Sequence, residues 1–164
     1  MSDFYTSLCA QAQALTAGEP DLVANLANIS ALLNLNLPDL NWVGFYLRRQ
    51  PQMLVLGPFQ GKPACLRIPM GQGVCGTAAA SGRVQRVADV HAFEGHIACD
   101  AASNAEIVLP IFAAGQVVAV LDIDSPSLDR FSAEDEAGLS ALVKLLEKLD
   151  WSQASCSQLG ASSL

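Results

Sequence analysis

The feature that most limits the fold is a pair of apolar runs, AEIVLPIFA (105–113) and QVVAVLDID (116–124), separated only by Ala114 and Gly115. Two strand-sized runs around a two-residue turn make an antiparallel hairpin. Both runs stay apolar at consecutive positions instead of alternating with polar residues. Such strands need cover on both faces, so the hairpin belongs at the centre of a sheet.

The remaining segments supply the flanking strands and the cover. DFYTSLCAQAQALTA (3–17) reads as a helix with Phe4, Leu8, Ala12 and Leu15 on one stripe, and Gly18-Glu19-Pro20 breaks it. A second helix follows at 21–35, with Leu22, Ala24, Leu26, Ile29, Leu32 and Leu33 apolar. WVGFYLRR (42–49) and MLVLGPF (53–59) read as strands around a short turn, and CLRIPM (65–70) and RVQRVADV (83–90) as weaker ones. GQGVCGTAAASG (71–82) gives a glycine turn, a small-residue helix and a glycine stop. Residues 91–104 form a polar loop, and 132–149 an amphipathic helix with Ser132 as cap and Asp135 reciprocating. This order predicts a single α+β domain over 1–151, an antiparallel sheet with helices mainly on one face, followed by a polar tail at 152–164.

A chain of 164 residues with 51% apolar and 15% charged residues can bury a proper core. Its apolar runs are strand-sized, short of the ~18–20 residues of a membrane span. The net charge is −7 and the nine basic residues are scattered, which argues against nucleic acid and anionic membrane as partners. MSDFYTSLCAQ lacks the basic and apolar regions of a signal peptide, so a cytoplasmic location is expected.

Five cysteines (Cys9, Cys65, Cys75, Cys99, Cys156) without an export signal argue against a structural disulfide framework. Three of them crowd 65–99 in the spacing C-x9-C-x23-C, with no close ligand pair, which disfavours zinc. No metal site is expected. Cys75 follows GQGV near a helix N-terminus, where the helix dipole lowers a thiol pKa. It is also small enough simply to pack that helix on the sheet. Cys99 sits in a polar loop three residues after His96 and beside Asp100. An imidazolium there favours its thiolate and Asp100 opposes it. Cys9 and Cys156 are most simply inert.

Asp122 and Asp124 alternate on one strand and share a face. With the turn at 114–115, residue i pairs with 229 − i, which puts Glu106 near 123, flanked by both aspartates. Three converging acids raise one another's pKa and suit cation binding or general acid work. Trp42, Gly44 and Tyr46 share a face of the 42–49 strand, and Gly44 leaves a concavity between two aromatics. An aromatic wall beside carboxylates suits a small ligand with an apolar end and an ammonium.

NWVGFYL, LGPFQGKPAC, IPMGQGVCGTAA, DVHAFEGHIACDAASNAEIVLPI and VVAVLDIDSP together resemble the free methionine-(R)-sulfoxide reductase family, which is built on a GAF domain. The resemblance implies a six-stranded antiparallel sheet with a loop-closed ligand pocket on the face opposite most helices. It implies Cys99 as nucleophile attacking the sulfoxide sulfur, Cys65 as resolving cysteine and Cys75 as auxiliary. It matches Glu106, Asp122 and Asp124 to the family's acidic residues; of these we assign Glu106 and Asp124 to the sulfoxide oxygen and Asp122 mainly to the substrate ammonium, with Trp42 and Tyr46 expected around the methyl group. No cofactor is implied: electrons come from thioredoxin through a Cys65–Cys99 disulfide. Free methionine sulfoxide and thioredoxin are the implied partners, and family members are often homodimers. The competing reading is a GAF-type sensor that binds a small molecule without turnover.

Overall fold

The computed structural model describes residues 1–97 and 99–155. The hairpin forms as its pattern requires: β5 (Ala105–Ala113) and β6 (Gln116–Ser125) turn at Ala114 and Gly115, both with positive φ (51° and 76°). Around it the sheet is completed by β1 (Trp42–Gln50), β2 (Met53–Gly61), β3 (Arg67–Pro69) and β4 (Gln85–Val87). The order is β3-β2-β1-β6-β5-β4, with every pairing antiparallel. The apolar hairpin therefore lies inside the sheet, while β3 and β4, shorter than the sequence suggests, lie at the edges.

The hairpin register differs from the 229 − i rule. Ala113 pairs with Gln116 and Phe112 with Val117, but Ile111 pairs with Ala119. Val118 is left over as a bulge, and every later pair is displaced by one residue. Glu106 consequently faces Asp124 across the ladder instead of Ile123. Cross-strand partners share a face, so the rule as expected would have turned Glu106 away from both aspartates.

Three helices cover one face: α1 (Asp3–Thr16), α2 (Leu22–Asn36) and α4 (Ala133–Leu146). Against them pack Val43, Phe45 and Leu47 of β1, Ile107, Leu109 and Ile111 of β5, and Leu121 and Ile123 of β6. The buried stripe of α1 is Tyr5, Leu8 and Ala12, one step round from the expected one, and Phe4 and Leu15 are each 44% exposed. The cause lies in α4, where Gly138 has no side chain and the Tyr5 ring takes the space; a Cβ there would come within 2.0 Å of Tyr5 Cγ. The Tyr5 hydroxyl then donates to Asp135 Oδ1 at 2.6 Å. In α2 the inward position expected of Ala24 belongs to Asn25, whose Nδ2 donates to Glu19 O at 2.9 Å. Ser132 and Asp135 form the expected reciprocal cap of α4.

α3 (Gly73–Ser81) packs on the opposite face, against β3, β4, β5 and β6. Its Val74, Cys75, Ala78 and Ala79 meet Trp42, Tyr46, Val108 and Val120 in a second, smaller core. Helices thus cover mainly one face, and α3 with two irregular segments covers the other. Among the described residues no helix is long and apolar enough to cross a membrane.

Candidate active site

The second face of the central strands carries Trp42, Tyr46, Glu106, Asp122 and Asp124. Trp42 pairs with Asp124 and Gly44 with Asp122 across β1 and β6, while Glu106 pairs with Asp124 across β5 and β6. Strict alternation along each strand then aims Trp42, Tyr46, Asp122, Asp124 and Glu106 into one cavity. α3 brings Cys75 over it, the irregular segment after β2 brings Lys62, Pro63 and Ala64, with Cys65 next in the chain, and the loop before β5 brings His96 and Cys99.

Cys65 and Cys99 are joined in a disulfide, with their Cα atoms 5.6 Å apart. The bridge ties the two irregular segments together beside the acids. The cavity beside it is lined by Trp42, Tyr46, Cys75, Glu106, Asp122 and Asp124. Cys75 and Cys9 are free thiols, Cys9 in α1 packed against the main core. Cys156 lies outside the described residues.

The acids are deeply placed. Glu106 and Asp122 are 7% and 5% exposed, and Asp124 is partly covered beside them. Cys75 Sγ donates to Glu106 Oε1 at 3.9 Å. One donor atom each of Cys75, Glu106 and Asp122 lie within 4.8 Å of one another, close enough to share protons or to ligate a cation. Among the described residues Asp122 Oδ1 is buried without a hydrogen-bond partner. Burial pushes all three carboxyls above the usual range, and the charge of Asp122 pushes Glu106 and Asp124 well above it. For Asp122 itself, hydrogen bonds from Glu106 and Cys75 work against burial. All three carboxyls are therefore held toward their protonated forms, Asp122 less strongly than the other two.

Cys75 departs from the helix-dipole expectation. It does sit in the first turn of α3, but it is fully buried. Burial, followed by the charges of Asp122, Glu106 and Asp124, raises its thiol well above the usual range. A low-dielectric site lined with carboxylates outweighs the partial charge of one short helix.

The aromatic wall also differs in detail. The space at Gly44 is filled from β2: a Cβ there would lie 2.3 Å from Phe59 Cβ. Phe59 stacks on Trp42 (5.2 Å between centroids), and Trp42 stacks on Tyr46 (5.9 Å). Gly44 thus admits a third ring and leaves no hollow. The polar atoms of the wall are engaged: Trp42 Nε1 donates to Lys62 O at 3.1 Å and the Tyr46 hydroxyl to Cys65 O at 2.9 Å.

His96, ambiguous in sequence, faces the acids: its Nε2 lies 4.0 Å from Glu106 Oε2. Burial, then the nearby His91, lowers its pKa, so it meets Glu106 as a neutral imidazole at pH 7. Sequence reasoning missed Asn41, whose Nδ2 donates to Asp100 Oδ2 (3.1 Å) and Ser103 Oγ (2.9 Å), fastening the turn after Cys99. An asparagine just before a strand carries only a generic turn signal.

A family model described as GAF domain matches residues 21–147. The chain is 59% identical over 148 residues to the free methionine-R-sulfoxide reductase of Escherichia coli strain K12, covering 90% of this chain and 89% of that one. Its fold is similar to a Neisseria meningitidis structure described as free methionine-R-sulfoxide reductase in complex with its substrate, at 45% identity and TM-score 0.86, covering 93% and 94% of the two chains. It is also similar to the Staphylococcus aureus structure described as fRMsr in complex with substrate, at 56% identity and TM-score 0.83, covering 88% and 94%.

Proposed function

Because the chain belongs to the GAF-domain family, and within it to the free methionine-R-sulfoxide reductases, we propose that its cysteines and buried acids carry out that reduction in the following roles. The enzyme is an oxidoreductase that reduces the R-sulfoxide of free methionine. The observation that carries the assignment of roles is the Cys65–Cys99 bridge set beside three buried carboxyls.

Cys99, as thiolate, attacks the sulfoxide sulfur. Glu106 and Asp124, which hold their protons, bond to the sulfoxide oxygen and stabilise the charge it gains. Net, one thiol and one sulfoxide give methionine and a Cys99 sulfenic acid: the substrate sulfur gains two electrons and the oxygen passes to Cys99. The Cys65 thiol then attacks the sulfenic sulfur, and its proton leaves with the hydroxyl as water. The disulfide returns to two thiols by exchange with an external dithiol, which receives the oxidation. Thioredoxin is that dithiol in our reading, and the cytoplasm the compartment. A homodimer accords with the family resemblance.

Asp122 takes the substrate ammonium, since its unpartnered oxygen offers an acceptor. Trp42 and Tyr46 flank the methyl group. A peptide-bound methionine has no ammonium there, so a buried carboxylate excludes it. Cys75, its thiol protonated, orients Glu106 and is not the attacking group. The disulfide ties together the segments that border the cavity, and its reduction frees them for substrate to enter.

The test is turnover of free methionine-(R)-sulfoxide with dithiothreitol. The reading expects turnover of the R epimer and its loss in Cys99→Ser. Full activity of Cys99→Ser would refute these roles.

A further inference from the structure

We propose that strand β1 and the residue before it position both members of the cysteine pair, with Asn41 and Tyr46 as positioning residues for disulfide formation. The proposal rests on the assignment of Cys99 and Cys65 as attacking and resolving cysteines. It concerns what brings them together, not what either does to substrate.

Neither cysteine lies on a helix or strand. Residues 62–66 follow β2, and Cys99 lies between the short helical turn at Val90–Ala92 and β5. No ladder fixes either segment opposite the other, yet an intramolecular disulfide needs a high effective concentration of one thiol at the other. Next to Cys65, Leu56 N–H bonds Leu66 O at 2.9 Å, and side chains from residues 41–46 add restraint at both segments. On the Cys65 side, the Tyr46 hydroxyl holds the carbonyl of Cys65 itself, at 2.9 Å. Trp42 Nε1 holds the carbonyl of Lys62, at 3.1 Å, so both ends of that segment are tied. On the Cys99 side, Asn41 Nδ2 bonds Asp100 Oδ2 at 3.1 Å and Ser103 Oγ at 2.9 Å.

The anchors themselves are rigid. Asn41 N–H bonds Asp124 O at 3.0 Å, and Tyr46 is 2% exposed and stacked on Trp42. β1 lies between β2 and β6 in the middle of the sheet. One stiff element thus grips the residue after the attacking cysteine and the backbone of the resolving one.

The experiment equilibrates the full chain with glutathione and maps the Cys65–Cys99 bond by mass spectrometry. Two protein thiols and one glutathione disulfide give the protein disulfide and two glutathiones. Tyr46→Phe, which loses one hydrogen bond, is expected to lower that equilibrium constant about fivefold, and Asn41→Ala, which loses two, by at least as much. Tyr5→Phe is the control: it removes another buried hydroxyl bond, to Asp135, in the opposite core. It is expected to lower Tm and leave the constant at the wild-type value. The proposal is overturned if both variants match wild type, if Tyr5→Phe lowers the constant equally, or if the wild-type chain forms no Cys65–Cys99 bond. Methionine sulfoxide is absent throughout, so a chain that shows the effect yet reduces no sulfoxide would defeat the functional reading alone.

Discussion

Glu106 and Asp124 stand directly opposite each other on adjacent strands because one residue, Val118, is left out of the hairpin ladder. That bulge turns Glu106 toward the cavity and puts three carboxyls in one buried place. The chemistry of the site depends on a register choice made six pairs away, near the turn.

Glu106→Gln keeps the shape and removes a proton donor. Loss of a general acid typically costs about 10²–10⁴-fold. We expect kcat/KM for the R-sulfoxide to fall by about 10²-fold or more, read by methionine release. In the wild type, rate should also fall at alkaline pH as the raised carboxyls finally ionise, and this fall should weaken in Glu106→Gln.

The same carboxyls set a pH dependence of stability. Their folded pKa values lie above the unfolded ones, so the folded chain binds protons more tightly. Their favourable contribution is complete below the unfolded carboxylate pKa of about 4 and is lost as pH rises through the raised folded values. Denaturant unfolding of Glu106→Gln between about pH 5 and 8 should show a shallower decline than wild type. An unchanged slope would mean Glu106 is ionised in the folded chain.

Gly44→Ala tests the third ring of the aromatic wall. A Cβ 2.3 Å from Phe59 Cβ and 2.7 Å from its Cα meets backbone, which cannot rotate away. Overpacking of this kind costs about 1–3 kcal/mol. Tm should drop by several degrees, and KM should rise if Phe59 and Trp42 shift together.

Binding should depend on redox state. With the Cys65–Cys99 bond intact, the two irregular segments that border the cavity are tied to each other. Calorimetry should show free methionine binding the reduced chain and not the oxidised one.

Much of this was legible in the sequence, for identifiable reasons. The apolar hairpin forces a central position, and period-two alternation places Asp122, Asp124, Trp42 and Tyr46 on one face without knowledge of their partners. The bulge at Val118 has no local signature, so the register of Glu106 was not readable. The stripe of α1 was misjudged because Gly138, far along the chain, decides which aromatic is buried. Only the lowered thiol pKa expected of Cys75 failed, because a helix N-terminus is visible in sequence and the buried carboxylates around it are not; its packing of α3 on the sheet was legible. Asn41 was missed because its role exists only once the loop has folded back on it.

The central claim is that Cys99 attacks and Cys65 resolves. It is tested most directly by one stoichiometric reaction without reductant: the reduced chain is mixed with free methionine-(R)-sulfoxide, methionine is counted, and the resulting disulfide is mapped by mass spectrometry. The account predicts one methionine per chain and a single new bond between Cys65 and Cys99. Methionine formed with Cys99 still a free thiol, or with the bond mapped to another pair, would contradict it.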